Sequence, residues 1–371
     1  MLLLGKTLYG LKQSAKQFWR ALLMCFKSMN VLKSKVDPCL YYQWEPKGLV
    51  IWLSWVDDCL VVGPKPAVMR ARDEFMARFN CDDLGEVNEY VGCKLEHNKE
   101  EGWMKLTQPV LLKSYEDEFD LPTNGPIPTT PAEGGQVLRP CEDGGELSPE
   151  RQTKYLSGVG KMLHMMRWSR PDVLNAVREQ SKYMQVVSPG HMKVMKRIMR
   201  YLTTTKERGL CLHPKRKWDG DPSFEFRVYG LSDASYATDL EGRKSVSGES
   251  VFLEGSLVCM RSSQQKSVTL STAEVELVAA TLCAQEMLFV MRLLESIGLK
   301  VQKPMELFVD NKGAVDLANN WSIGGRTCHM EVRQYFLRDL KDEGIIITKW
   351  ISGEEMSSDL FTKNLHGPLF Q

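Results

Sequence analysis

Apolar and polar positions change period along this chain, and the changes mark its elements. After a short strand from Ser267, apolar residues recur at helical spacing: Val275, Val278, Ala279, Leu282, Cys283, Leu288, Met291, Leu294 and Ile297. So wide an apolar face belongs to a helix packed against a sheet. Ser271 is a good N-cap with Glu274 three residues later as its capping-box partner, and Gly298 stands where a C-terminal stop belongs. Three other segments surround this helix in sequence. FRVYGLSDASYATD alternates as a strand and carries Asp233; MELFVDNKGAVDLANN is a short apolar strand ending in Asp310, then a helix start. IIITKWISGEEMSSDLFTK reads as a strand, a polar loop and a helix carrying Asp359. The order is β-β-β-α-β-α…α.

The first half of the chain reads differently. Residues 1 to 30 give a turn and an amphipathic helix with Phe18, Leu22 and Phe26 at helical spacing. In residues 40 to 63 an apolar run, Asp57-Asp58 and a second apolar run predict a β-hairpin with two carboxylates in its turn. A helix (Val68 to Phe79) and a strand (Tyr90 to Leu95) follow, then a helix stopped by Pro122. Residues 122 to 149 are rich in Pro, Gly and acidic side chains, the composition of a linker. Three helices are predicted between 150 and 212, broken before Pro171 and Pro189. HPKRKWDGDPS marks a boundary, and TCHMEVRQYFLRDLKDEG a second long helix of the C-terminal region.

Composition adds bounds rather than identity. The 371 residues suffice for two or three domains, 43% apolar and 26% charged being ordinary globular usage. Ten scattered cysteines show no CxxC pair and no zinc spacing, which reads as reduced thiols in an intracellular protein. MLLL is too short for a signal-peptide core, and no uninterrupted apolar run reaches bilayer length, so no membrane partner is expected. A net charge of +1 announces no nucleic-acid binder, so charge must be read locally. From Lys193 to Lys217 nine Lys/Arg face Glu207 alone, and Lys193, Lys196, Arg197 and Arg200 share one helical face. Two readings stand: a solvated face, or a face gripping the sugar-phosphate backbone.

The candidate chemistry is acidic. Asp233, Asp310 and Asp359 sit at or near element ends, and Glu276 lies in the first turn of the long helix. Glu276 points about 200° around the helix from the capping Glu274. It is either a solvated glutamate favoured by the helix dipole or a ligand. Converging, the four would make a hard-oxygen cluster suited to two divalent ions and phosphodiester cleavage.

SDASYATD, TLSTAEVELVAA, VDNKGA and SSDLFTK resemble the RNase H domain of copia-type retrotransposon polyproteins. Residue by residue, the resemblance implies metal-binding, catalytic carboxylates at Asp233, Glu276, Asp310 and Asp359, with Glu276 rather than Glu274 as ligand. Cellular enzymes of this fold carry a histidine before the last Asp; here Glu354 and Glu355 occupy the loop. Upstream, LYGLKQSAKQFW and Trp55-Val56-Asp57-Asp58 resemble the reverse-transcriptase segment of the same polyproteins, implying polymerase metal ligands at Asp57 and Asp58. SGVGKMLHMMRWSRPDVLNAV and RIMRYLTTTKERGL resemble the part between, and WSIGGRTCH the segment before the last helix, where Arg326 is a phosphate or capping residue. His164 and His191 lack partners at catalytic spacing and read as structural.

The expectation is therefore an α+β, α/β multi-domain protein: a partial reverse-transcriptase palm (1–121), a linker (122–149), a helical thumb and connection (150–216) and an RNase H-like mixed sheet with helices on both faces (224–371). The resemblance implies Mg²⁺ or Mn²⁺ as cofactor, an RNA–DNA hybrid, RNA template and DNA primer as partners, and gag and integrase segments upstream. It implies RNase H-type cleavage. The polymerase is expected to be incomplete in this chain, since the family's third palm carboxylate precedes LYGLKQ and no acidic residue stands there. Localisation is expected in a cytoplasmic virus-like particle or the nucleus, not outside the cell. The alternative function is a non-catalytic nucleic-acid-binding remnant of a decayed retroelement.

Overall fold

The structure is a computed structural model, and it describes residues 10–46, 48–122, 124–141, 145–239, 242–269, 271–320 and 331–370. Arg326 and His329 lie outside the described residues. The chain forms two compact units.

The first unit comprises Met1–Val87, Trp218–Phe226 and Phe289–Val301. Its main sheet has the order β1 (Leu32–Lys33), β2 (Leu40–Glu45), β3 (Gly48–Trp55), β4 (Asp58–Val62), all antiparallel. Helices α1 (Ser14–Ser28) and α2 (Lys65–Arg78) cover one face. The apolar spacing of α1 delivers Leu22, Cys25 and Phe26 inward, where Phe26 meets Tyr41, Trp52 and Phe75 at ring-centroid distances of 4.4, 5.3 and 5.6 Å. Such aromatic contacts add to what area burial alone supplies. The Trp44 indole nitrogen donates to the Ile297 carbonyl at 2.9 Å, within the same unit.

The second unit comprises Asn88–Lys217, Arg227–Leu288 and Gln302–Gln371. Its smaller sheet joins β5 (Glu89–Tyr90), β6 (Cys93–Asn98), β7 (Trp103–Thr107) and β8 (Leu210–Leu212). The single strand expected from Tyr90 to Leu95 is split. Val91 and Gly92 have φ of 50° and 73°, the left-handed pair that a tight two-residue hairpin turn requires. Four helices, α3 (Pro109–Glu118), α4 (Pro149–Trp168), α5 (Leu174–Ser181) and α6 (Pro189–Thr204), enclose a core with Tyr115, Tyr155, Met162, Met195 and Ile198 fully buried. The helix breaks fall at Pro171 and Pro189 as the sequence predicts. His191 works structurally. With Ser188 it forms the capping box of α6, accepting from the Ser188 amide at 3.1 Å and bonding the Arg139 carbonyl at 2.7 Å.

The larger sheet runs β12 (Ser256–Gln264), β11 (Val246–Leu253), β10 (Val228–Ser235), β14 (Met305–Val309), β15 (Ile346–Trp350). Strands β10, β14 and β15 are parallel, while β11 and β12 are antiparallel. The remaining short pair, β9 (Glu225–Phe226) with β13 (Lys300–Val301), belongs to the first unit. The long helix α7 (Thr272–Ser296) opens with the Glu274 amide bonded to Ser271 Oγ at 3.2 Å. Gly230 on β10 leaves room for it, since a Cβ there would stand 2.6 Å from Cys283 Sγ and 2.7 Å from Met287 Sδ. Averaged over a window, α7 is long and apolar enough to cross a membrane by length and composition, with 61% of that window buried inside the protein. The sequence expectation considered only uninterrupted apolar runs. Helices α8 (Lys312–Asn319) and α9 (Glu331–Asp342) complete the unit.

Candidate metal centre

Asp233 lies near the end of the central strand β10. Side chains alternate along a strand, so Gly230 and Ala234 meet α7, while Asp233 faces the opposite side. On that side lies a 3-10 turn, Ser357–Phe361, where the sequence predicts a longer helix. The turn is fastened to the sheet by Ser358, whose hydroxyl donates to the Leu231 carbonyl at 3.0 Å and lies 2.7 Å from Ser250 Oγ. Gly248, opposite Asp233 in the β10–β11 register, permits this approach. A Cβ there would lie 2.7 Å from Thr362 Cγ2 and 2.9 Å from the Ser358 carbonyl oxygen. The turn thus carries Asp359, Thr362 and Lys363 up to Asp233.

Glu276 enters from α7, just past its first turn rather than within it as the sequence predicts. It is 6% exposed, its Oε1 accepts from the Ala234 amide at 3.3 Å, and its Oε2 has no hydrogen-bond partner. Asp310 follows the end of β14, beside Trp350, whose indole nitrogen donates to the Asp310 carbonyl at 3.0 Å. Ligand atoms of Asp233, Glu276 and Asp310 all lie within 4.8 Å of one another. Asp359 joins them through Lys363, whose ammonium is 2.9 Å from Asp359 Oδ1 and 3.4 Å from Asp233 Oδ1. The Thr362 hydroxyl donates to the other oxygen of Asp233.

The electrostatics follow from burial. Asp233, 1% exposed, has its carboxyl pushed up to about 7, mainly by desolvation and further by Asp359, against the opposing pull of Lys363. Glu276 is pushed up to about 9 by desolvation and by the charges of Asp233 and Asp310. Desolvation also raises Asp310. Burial works against the charge on Lys363, but Asp233, Asp359 and Asp310 outweigh it and hold the ammonium above its usual range. Carboxyl groups held together out of water resist ionisation until a cation compensates them. An all-oxygen donor set with an orphaned buried oxygen fits a hard divalent ion.

The other sequence-predicted residues fare differently. Asp57 and Asp58 lie exposed at the β3–β4 turn, with Asp58 opposite Trp55. Val56 beside them has φ 55°, a strained setting for a β-branched residue. The basic face of α6 holds the chain's own backbone: Lys196 Nζ donates to the Asp120 carbonyl at 3.2 Å and Arg200 to the Gly125 carbonyl at 2.7 Å. Arg197 lies 3.7 Å from Glu133, while Lys193 is exposed. Glu354 and Glu355 are exposed in a 3-10 turn. Sequence reasoning passed over Thr362 and Lys363; the signal was there, a lysine four residues after Asp359.

Residues 1–133 match the family described as reverse transcriptase (RNA-dependent DNA polymerase). The retrovirus-related Pol polyprotein from transposon TNT 1-94 of Nicotiana tabacum is 31% identical over 97% of this chain and 27% of its own length. Those from transposons RE1 and RE2 of Arabidopsis thaliana are 27% and 25% identical, each over 99% of this chain and 24% of their own length. The chain spans about a quarter of the length of these relatives. A solved foamy viral protease–reverse transcriptase in complex with double-stranded DNA covers 93% of this chain and 51% of its own, at 9% identity and a TM-score of 0.24, a likeness that carries no argument.

Proposed function

We propose, for a chain that is kin to the Pol polyproteins of copia-type transposons over nearly its whole length, that its second unit is a metal-dependent RNase H-type nuclease. The observation that carries this reading is the convergence of Asp233, Glu276 and Asp310, with Asp359 attached through Lys363. Among the described residues, no other three His, Cys, Asp or Glu side chains gather closely enough to hold an ion. The polymerase-type pair Asp57-Asp58 is exposed and makes no such group, so we rank cleavage above synthesis. We assign β1–β4 with α1 and α2 to a reverse-transcriptase palm, α4 to α6 to a thumb and connection, and the five-stranded sheet with α7 to the nuclease.

In this reading Asp233, Glu276, Asp310 and Asp359 would hold two Mg²⁺ or Mn²⁺ ions, which would supply activation of water and stabilisation of the leaving oxygen of a phosphodiester. The protein's own part is positioning. β10 and α7 fix Asp233 and Glu276 from opposite sides, and Ser358 and Gly248 set the turn bearing Asp359. Burial of Asp233 and Glu276 limits screening by water, so once ionised they act strongly on a cation. The substrate is the RNA strand of an RNA–DNA hybrid, bound through its backbone by cations such as Lys193.

The test is direct. Purified chain with Mg²⁺ or Mn²⁺ should cut a labelled RNA strand in a hybrid, leave the DNA strand intact, and extend a primer at background only. Asp310→Asn should abolish the cut, a neutral amide being a poor ligand for a hard ion. A folded protein that binds the hybrid without cutting it would favour the non-catalytic remnant.

A further inference from the structure

The carboxylate centre contains a cation of its own. Lys363 Nζ lies 2.9 Å from Asp359 Oδ1 and 3.4 Å from Asp233 Oδ1, so one ammonium bridges two acids supplied by different elements. Asp233 is 1% exposed and the lysine side chain 40%. Asp233 is therefore fixed by the fold, Asp359 is a quarter exposed, and the lysine reaches them from the more open side. A flexible four-carbon stem lets such an ammonium withdraw without moving backbone. Thr362, the preceding residue, donates its hydroxyl to the remaining oxygen of Asp233, and that hydroxyl also lies 3.2 Å from the Asp359 carbonyl oxygen. Together they engage both oxygens of Asp233.

We propose that Lys363 is a built-in counter-ion that holds Asp233 and Asp359 together in the metal-free protein and competes with the incoming divalent ion for the same oxygens. The proposal rests on the reading of this site as a metal centre and adds its regulation: loading is an exchange of one ammonium for a divalent ion rather than filling of an open cage. Lys363 is thus a positioning residue. Without it the acids repel one another when no metal is bound, and the ion meets less competition when it arrives. The same exchange discriminates among cations, because a divalent ion outbids an ammonium for clustered carboxylates more readily than a monovalent one does.

The experiment is calorimetric titration of Mn²⁺ into the full chain, with melting in EDTA and in saturating Mn²⁺. Lys363→Met should bind Mn²⁺ at least about fivefold more tightly than the parent. It should melt lower than the parent in EDTA and level with it in Mn²⁺. Lys363→Arg, which keeps the charge, should bind within about twofold of the parent, and it serves if the methionine variant does not fold. Equal or weaker Mn²⁺ binding by Lys363→Met, or a gain in Lys363→Arg as large as that expected of the methionine variant, would overturn the proposal. A folded parent that takes up no Mn²⁺ would remove the metal centre itself; a parent that binds while Lys363→Met binds identically would remove only the role of Lys363.

Discussion

Glu276 is an acid whose ionisation the fold opposes, and a single isosteric change should remove that opposition. Its carboxyl is raised from 4.5 to about 9, chiefly by burial and then by Asp233 and Asp310, and one of its oxygens has no hydrogen-bond partner. The folded protein thus keeps this proton to higher pH than the unfolded chain does. The stability tied to it is complete below about pH 4.5 and is lost as the pH rises toward 9. Within that window each pH unit costs about 1.4 kcal/mol. From pH 6 to 7.5 the metal-free protein should lose roughly 2 kcal/mol through this group, which is about 4–8 °C in melting temperature. Glu276→Gln removes the titration and keeps the shape. Asp233 is also raised, to about 7, and shifts stability in the same direction; while Glu276 keeps its proton Asp233 faces a neutral neighbour in both proteins, so most of its contribution cancels in their difference. The assay is melting in EDTA across this pH range. Glu276→Gln should melt above the parent, by a margin that widens with pH. Saturating Mg²⁺ should reverse the order, since only the parent presents the full ligand set. A margin in EDTA that stays constant or shrinks as the pH rises would refute the reasoning.

Other consequences lie nearby. Gly248→Ala places a Cβ within 2.7 Å of Thr362 Cγ2 and should cost about 1–3 kcal/mol while shifting the turn that bears Asp359; melting in EDTA reads the first effect and loss of Mn²⁺ affinity the second. Lys196 and Arg200 hold carbonyls at Asp120 and Gly125, so replacing both with alanine should speed proteolysis within residues 120–133, read by limited digestion. Lys193 is exposed and has no such duty; Lys193→Ala should weaken hybrid binding for all sequences alike and lower the salt slope by about one unit in a binding titration.

What could be read in the sequence was local. The start of α7 at Ser271, its stop at Gly298 and the helix breaks at Pro171 and Pro189 each depend on a few neighbouring residues whose backbone preferences agree, and the hairpin bearing Asp57-Asp58 was legible from its two flanking apolar runs even though Val56 in its turn is strained. The preference for Glu276 over Glu274 came from the family resemblance; helix geometry alone set the two on different sides and left Glu276 either solvated or a ligand, and it is in fact buried while Glu274 is half-buried. Contacts across long sequence separations were out of reach. The Thr362–Asp233 and Lys363–Asp233 bonds span 129 and 130 residues, and no periodicity encodes them. The basic face of α6 shows the same limit. Its cations could be counted, but that two of them hold the backbone at Asp120 and Gly125 depends on carbonyls 76 and 75 residues away. The 3-10 turn at Asp359 went unread because Ser358 is tied there by the sheet rather than by its own neighbours.

The central claim is that four carboxylates from four elements hold divalent metal. Anomalous diffraction from crystals of the chain grown with Mn²⁺ tests it most directly. The account predicts two peaks about 3.5–4 Å apart, ligated by Asp233, Glu276, Asp310 and Asp359, with Glu274 uninvolved and the Lys363 ammonium withdrawn from Asp233. A structure with no peak at these side chains, or with manganese held by Glu274 while Glu276 points away, would contradict it.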